Sequence, residues 1–323
     1  TLRFDTPEAV TEALKNPNWA TRRKAWASLQ KMGRKAEPNL LKVYQSTNPV
    51  WRARAWWLLS KLPATGISYL KQALHDPNPD LRITALRAAR QQPSFPFVLC
   101  APSANDPSPE VRREWAIALR FLKTPEAAES WATLAVQHTG NDRWYLEALG
   151  VGSDLHADAC FDAWQQKVGA NWNTPAGRDI VWRIRSAKAL PLLVQLIRQT
   201  PEVTATLRYF RAFDFHPPTG KNNVLVSLLN DPRPAIQRLA LEHIDGSSLV
   251  RNEMLNRALE TALTTAGQTE SYVHLVEKFR LTDKREQLLN LVRCCATRQV
   301  GIEAMQLLWR FGEKEFVQQR LHD

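Results

Sequence analysis

The stretch "HDPNPDLRITALRAA" (75–89) decides the fold. It spells a proline-rich turn, an apolar residue, an arginine and then an apolar helix. Related copies stand at "TNPVWRARAWWLLSKL" (47–62), "NDPSPEVRREWAIALRFL" (105–122) and "NDPRPAIQRLALEHI" (230–244). Aligning them sets a spacing of 30 residues, with anchors at Thr21, Trp51, Leu81 and Val111. An arginine follows each anchor: Arg22, Arg52, Arg82 and Arg112. Offsets 0, +4, +7, +8 and +11 from an anchor form one helical stripe. In the fourth copy that stripe is Val111, Trp115, Ala118, Leu119 and Leu122.

The turn before each helix is a written helix start. Asn18, Asn48, Asn78 and Ser108 lie three residues before the anchors. Their side-chain oxygens suit the N-cap, where an orphan backbone N–H needs an acceptor. Pro49, Pro79 and Pro109 follow at the first helical position, where a missing N–H costs nothing. Asp80 and Glu110 then meet the positive end of the helix dipole.

Second helical patterns alternate with these: "TPEAVTEALK" (6–15), "EPNLLKVYQ" (37–45), "GISYLKQALH" (66–75) and "TPEAAESWATLAVQ" (124–137). Each unit is therefore two helices and a tight turn. The class is all-α, an α-solenoid of about nine or ten helical hairpins in one array over residues 1–323. Repeats are regular over 6–150 and irregular over 151–323. There "KVGANWNTPAGRD" (167–179) and "DFHPPTGKNN" (214–223) read as long loops. Later helices are expected at about 250–266, 270–280, 284–295 and 300–320.

The composition, 44% hydrophobic and 23% charged, is that of a globular chain. The longest apolar run, "ALPLLVQLI" (189–197), is too short for membrane insertion. The sequence begins with Thr, as an excised or processed piece would. Net charge is +11, spread over both halves, which admits nucleic acid, an anionic surface or an acidic protein as partner. Cys100, Cys160, Cys294 and Cys295 form no C-x-x-C pair and read as small buried apolar residues.

No H-E-x-x-H, G-x-S-x-G, Walker loop, G-x-G-x-x-G or C-x-x-C-H occurs in the sequence. The segment is read as non-catalytic, with no cofactor and no metal site. His243 falls on an apolar stripe and reads as a packed histidine. Trp51 and Trp115 read as core. Trp144, Trp172 and Trp182 flank the irregular middle and are candidates for an exposed site.

The arginines following the anchors have two readings. In one they form a ladder, each pairing with a neighbouring turn through Asp76, Asp106, Asn16 or Asn48. In the other they form a basic stripe that meets a partner. Gln237 in the copy at 230–244 departs from either pattern. The candidate partner-binding set is Arg52, Arg82, Arg112, Trp144, Trp172, Arg178 and Asp179. If the stripe reading holds, charge reversal at Arg82 and Arg112 weakens binding without unfolding. If the ladder holds, it unfolds the array.

The D-P-x-P-x-apolar-R-x-x-A turn-helix resembles the HEAT-like repeat of the phycobilisome-lyase type, in which the second helix lines the concave face. "DRWYLEALGVGSD" (142–154), "WQQKVGANWNTPAGRDIVWRIRSAKALPLLVQLI" (164–197) and "RYFRAFDFHP" (208–217) resemble the HEAT region of large exported proteins of planctomycetes and verrucomicrobia. Those proteins are membrane-bound dehydrogenases or haem-binding proteins with a β-propeller before the array and a c-type cytochrome domain after it. The resemblance implies a linking or docking scaffold that meets neighbouring domains or another protein, in an exported or periplasmic location. A nucleic-acid-binding array is the alternative, because HEAT-like DNA-alkylation glycosylases are also basic and carry tryptophan. A bilin lyase, suggested by the name of the repeat, finds no reactive cysteine or paired acid to support it.

Overall fold

The computed structural model describes residues 4–246 and 252–321. Among them every regular element is helical and no strand occurs. The chain divides into two compact units, Thr1–Ile180 and Val181–Asp323.

In the first unit the hairpins pair Pro7–Ala13 with Trp19–Met32, Glu37–Tyr44 with Pro49–Leu59, and Gly66–Ala73 with Pro79–Ala89. Further along, Pro109–Ala118, Pro125–Ala135, Arg143–Ser153 and Ala157–Val168 continue the series. First helices pack on the first helices of neighbouring hairpins, and second helices on second helices. The result is a two-layer stack in which each hairpin buries its apolar stripe against its neighbours, the arrangement of an α-solenoid. The second unit stacks in the same manner from Leu190–Gln199 and Val203–Phe213 to Arg285–Cys294 and Gln299–Arg310.

The helix starts are where the turn motif puts them. Asn18 accepts the N–H of Thr21, Asn48 those of Val50 and Trp51, Asn78 that of Asp80, and Ser108 that of Val111. The stripe is buried in the third and fourth copies at Leu81, Ala85, Ala88 and Ala89, then Val111, Trp115, Ala118 and Leu119, while Leu122 at its end is half-buried. Trp115 is fully buried, and its indole N–H donates to Ser130 Oγ at 2.8 Å. Trp51 differs from the expectation of a core residue. It is half-buried at the edge of the first hairpins, with Lys15 Nζ 5.2 Å from its ring centroid.

Other departures have local causes. Between residues 90 and 109 the first helix of the hairpin shrinks to Phe97–Cys100 and a 3-10 turn Ala101–Asn105, because Pro93, Pro96 and Pro102 remove donors from a longer helix. The stretch 214–223 is not all loop: Pro218 opens a helix, Pro218–Leu225. The stretch 167–179 holds a 3-10 turn, Gly169–Trp172, and the start of a helix at Pro175. Gly177 is required there, since a Cβ would stand 1.8 Å from the Trp172 carbonyl oxygen. The element expected at 300–320 is two helices, Gln299–Arg310 and Lys314–Leu321, broken where Gly312 takes φ +81°. The cysteine reading fails at one position: Cys294 is exposed, whereas Cys100, Cys160 and Cys295 are buried.

Candidate functional site: a tryptophan and arginine groove

The second helices of the first two hairpins carry two interleaved stripes. The core stripe runs through the anchors. On the Trp19–Met32 helix a second stripe, Trp19, Arg23 and Trp26, follows at i, i+4 and i+7 beside the core stripe; Trp19 and Arg23 are exposed, while Trp26 is half-buried against the core cluster of Ala25 and Leu29. On the Pro49–Leu59 helix the corresponding stripe is Val50, Ala53, Arg54 and Trp57. Stacking lays these stripes side by side. Together with Leu14, Arg22, Pro49 and Asp80 they line a groove of about 680 Å³.

The groove is apolar in its walls and cationic at its rim. Trp19 is 63% exposed and Val50 52%. The Arg23 guanidinium lies 5.5 Å from the Trp19 ring centroid and meets no carboxylate among the described residues. Lys61 Nζ bridges two rings, 5.7 Å from Trp26 and 5.4 Å from Trp57. Arg54 reaches back to donate to the Leu14 carbonyl at 3.2 Å. Burial, and then the neighbouring Arg22 charge, push the Arg54 guanidinium below its ordinary value. Three arginines thus face one lining carboxylate, Asp80. The lining supplies ring faces, guanidinium donors and aliphatic surface, which are groups that hold a ligand by contact and charge.

Of the arginines after the anchors, Arg52 and Arg82 pair with a carboxylate of the following turn, as the ladder expects, whereas Arg22 and Arg112 bond only backbone carbonyls of the turn before their own helix. Arg22, Arg82 and Arg112 each donate to the carbonyl six residues earlier, on Asn16, Asp76 and Asp106, at 3.0, 2.7 and 2.6 Å. Gln237 does the same to the Asp231 carbonyl at 2.8 Å, so an amide can fill this role. Arg52 and Arg82 also reach the turn of the following hairpin. Arg52 Nη2 meets Asp76 Oδ2 at 2.5 Å, and Arg82 grips Asp106 through Nε at 2.7 Å and Nη2 at 2.8 Å. Those carboxylates in turn accept the N–H two residues on, in Asn78 and Ser108. Asp231 lacks such a partner in the preceding hairpin's helix and is gripped by Arg233 of its own turn instead.

The remaining candidates divide. Trp144 is 74% exposed, while Trp172 is buried, with 7% of its surface exposed. Trp182 is half-buried and donates to the Arg208 carbonyl at 2.9 Å. Arg178 is exposed and donates to Asn173 Oδ1 at 2.7 Å. Arg112 and Asp179 belong to one run of contacts. The Arg112 guanidinium lies 5.6 Å from the Tyr145 ring centroid, Tyr145 stacks on His138, and His138 Nε2 stands 3.2 Å from Asp179 Oδ2. His243 is half-buried, stacked on Phe210, with Nδ1 2.7 Å from Asp214 Oδ1. The groove itself was missed. Its signal was available as Trp19, Arg23 and Trp26 at helical spacing, opposite the anchor stripe.

Residues 7–90 match a family model described as HEAT repeats. The match spans the first three hairpins, which contain the groove. No curated protein matches the chain. Among solved structures it is similar to the crystal structure of an engineered protein, with 14% identity over 95% of this chain and 96% of that one, at a TM-score of 0.17.

Proposed function

We propose that this chain is a non-catalytic helical-repeat scaffold that binds a protein partner in the groove of its first hairpins. The carrying observation is apolar surface beside cations that pair with no carboxylate among the described residues: exposed Trp19 and Val50 with half-buried Trp26 and Trp57, next to Arg22, Arg23 and Arg54. HEAT repeats commonly serve protein interaction, and the matched hairpins are the ones that carry the groove. Charge complementarity selects the occupant, a segment bearing carboxylates interspersed with leucine or aromatic side chains. In this reading the chain links or docks neighbouring domains, and the resemblance to exported dehydrogenase and cytochrome proteins supplies a context for it. Trp144, Arg112, Arg178 and Asp179 belong to the same unit and are proposed as a secondary contact region.

The alternative occupant is a single nucleic-acid strand, which the rings of Trp19, Trp26 and Trp57 favour as stacking platforms. Calorimetric titration separates the two. A Glu- and Leu-bearing peptide is expected to bind with modest salt sensitivity. An oligothymidylate is expected to bind more weakly, with affinity that collapses as salt rises. Tighter binding of the oligonucleotide at physiological salt would overturn the protein-partner reading.

A further inference from the structure

We propose that the thiols of Cys294 and Cys295 form a reversible dithiol–disulfide site at the turn joining two helices of the second unit. The Arg285–Cys294 helix ends at Cys294, and Cys295 leaves it at φ −131°, ψ 29°. Successive side chains of a continuing helix diverge by about 100°. The exit at Cys295 instead turns both sulfurs to one side, 2.9 Å apart. Next to them, the Gln299–Arg310 helix packs on the Arg285–Cys294 helix.

The two thiols are placed unequally. Cys294 is exposed and can be reached by a disulfide from solution, whereas Cys295 is buried beside it. Arg298 Nη1 lies 3.7 Å from Cys295 Sγ. An accessible cysteine next to a resolving one is the arrangement of a redox-sensitive pair. The hydrogen bond with Cys295 is the leading cause that holds the Cys294 thiol above its ordinary value. Cys100 and Cys160 differ in being buried away from an oxidant in solution, and burial pushes both thiols up to about 12.

The chemistry balances with a low-molecular-weight disulfide as oxidant. Cys294 thiolate attacks one sulfur of the disulfide, forming a mixed disulfide and expelling one thiolate. Cys295 thiolate then attacks Cys294 Sγ and expels the second. The protein loses two electrons and two protons, and the oxidant becomes two thiols. The turn also fixes the character of the bond. The Cα atoms of adjacent residues stand about 3.8 Å apart, short of the roughly 4.4–6.8 Å that relaxed disulfides span. The Cys295 carbonyl is held by Arg298 N–H at 2.9 Å, and a Cβ on Gly301 would stand 2.2 Å from it, so the backbone has little room to relax. A strained bond of this kind is readily reduced, which makes a switch and not a staple.

Both cysteines fall in one tryptic peptide, residues 294–298. The full chain is treated with glutathione disulfide, acid-quenched, alkylated, digested and weighed. The expected product is that peptide lighter by two hydrogens, restored by dithiothreitol, with Cys100 and Cys160 still alkylated. Cys295→Ser is expected to stop at the glutathione adduct on Cys294. A stable glutathione adduct on Cys294 in the unsubstituted chain overturns the proposal. So does a dimer linked through Cys294, or two cysteines still reduced after excess oxidant.

Discussion

Asp106 does three things with one residue. Its Oδ1 accepts the Ser108 N–H that begins the next helix, its carboxylate grips Arg82 of the preceding hairpin at two points, and its carbonyl accepts Arg112. The Arg82–Asp106 pair is largely sheltered, with side chains 12% and 8% exposed. Removing one member of a buried pair leaves the other uncompensated, at a cost of about 3 kcal/mol. Asp106→Ala is therefore expected to lower the urea-unfolding free energy by that order, and Arg82→Glu to do at least as much. Little change in either would reduce the ladder to a surface ornament. Asp231, held by Arg233 within its own turn, gives that turn a pH signature. Burial pushes its carboxyl up, but hydrogen bonds from the Arg233 side chain and backbone outweigh this and hold it below the usual range. A depressed folded value contributes stability that is complete above about pH 4 and is lost as pH falls through the lower folded value. Asp231→Asn is expected to flatten that acid limb in melts at decreasing pH. An unchanged limb would assign it to other carboxylates.

Single elements were largely legible in the sequence, because caps and stripes are local. Asn78 with Pro79 and Asp80 announces a helix start, and the hydrogen bond from Asp80 N–H to Asn78 Oδ1 at 2.8 Å fulfils it. Asn78→Ala is expected to cost about 1 kcal/mol in thermal or urea unfolding, with Asn78→Gly costing less. Equal losses for the two would mean that the side chain serves some role other than the cap. Departures came where a local signal was overruled. Pro218 read as loop punctuation but serves as a first helical residue. A single helix was expected at about 300–320, but Gly312 takes a left-handed φ and divides it. The ladder partners were half legible. Asp76 and Asp106 could be named as acceptors, but not which arginine reaches which. The link runs 24 residues along the chain, a spacing set by how hairpins stack and not by any helical period.

At the scale of the whole molecule, the regular repeat predicted the stack, and the irregular residues carry the function proposed for it. Trp19, Trp26 and Trp57 stand at offsets −2, +5 and +6 from their anchors, so no repeat-to-repeat alignment groups them. They meet only because neighbouring second helices lie side by side. Trp144 and Arg178, chosen from the irregular middle, are exposed, but Trp172 beside them is buried. Loop irregularity was thus an unreliable guide to surface. The most direct test is a paired measurement on Trp19→Ala/Arg23→Glu. Both side chains lie outside the core, so the thermal midpoint is expected to stay unchanged. Affinity for the acidic, leucine-bearing peptide is expected to fall at least tenfold, about 1.4 kcal/mol or more. An unchanged affinity in the folded variant would contradict the groove as the binding surface.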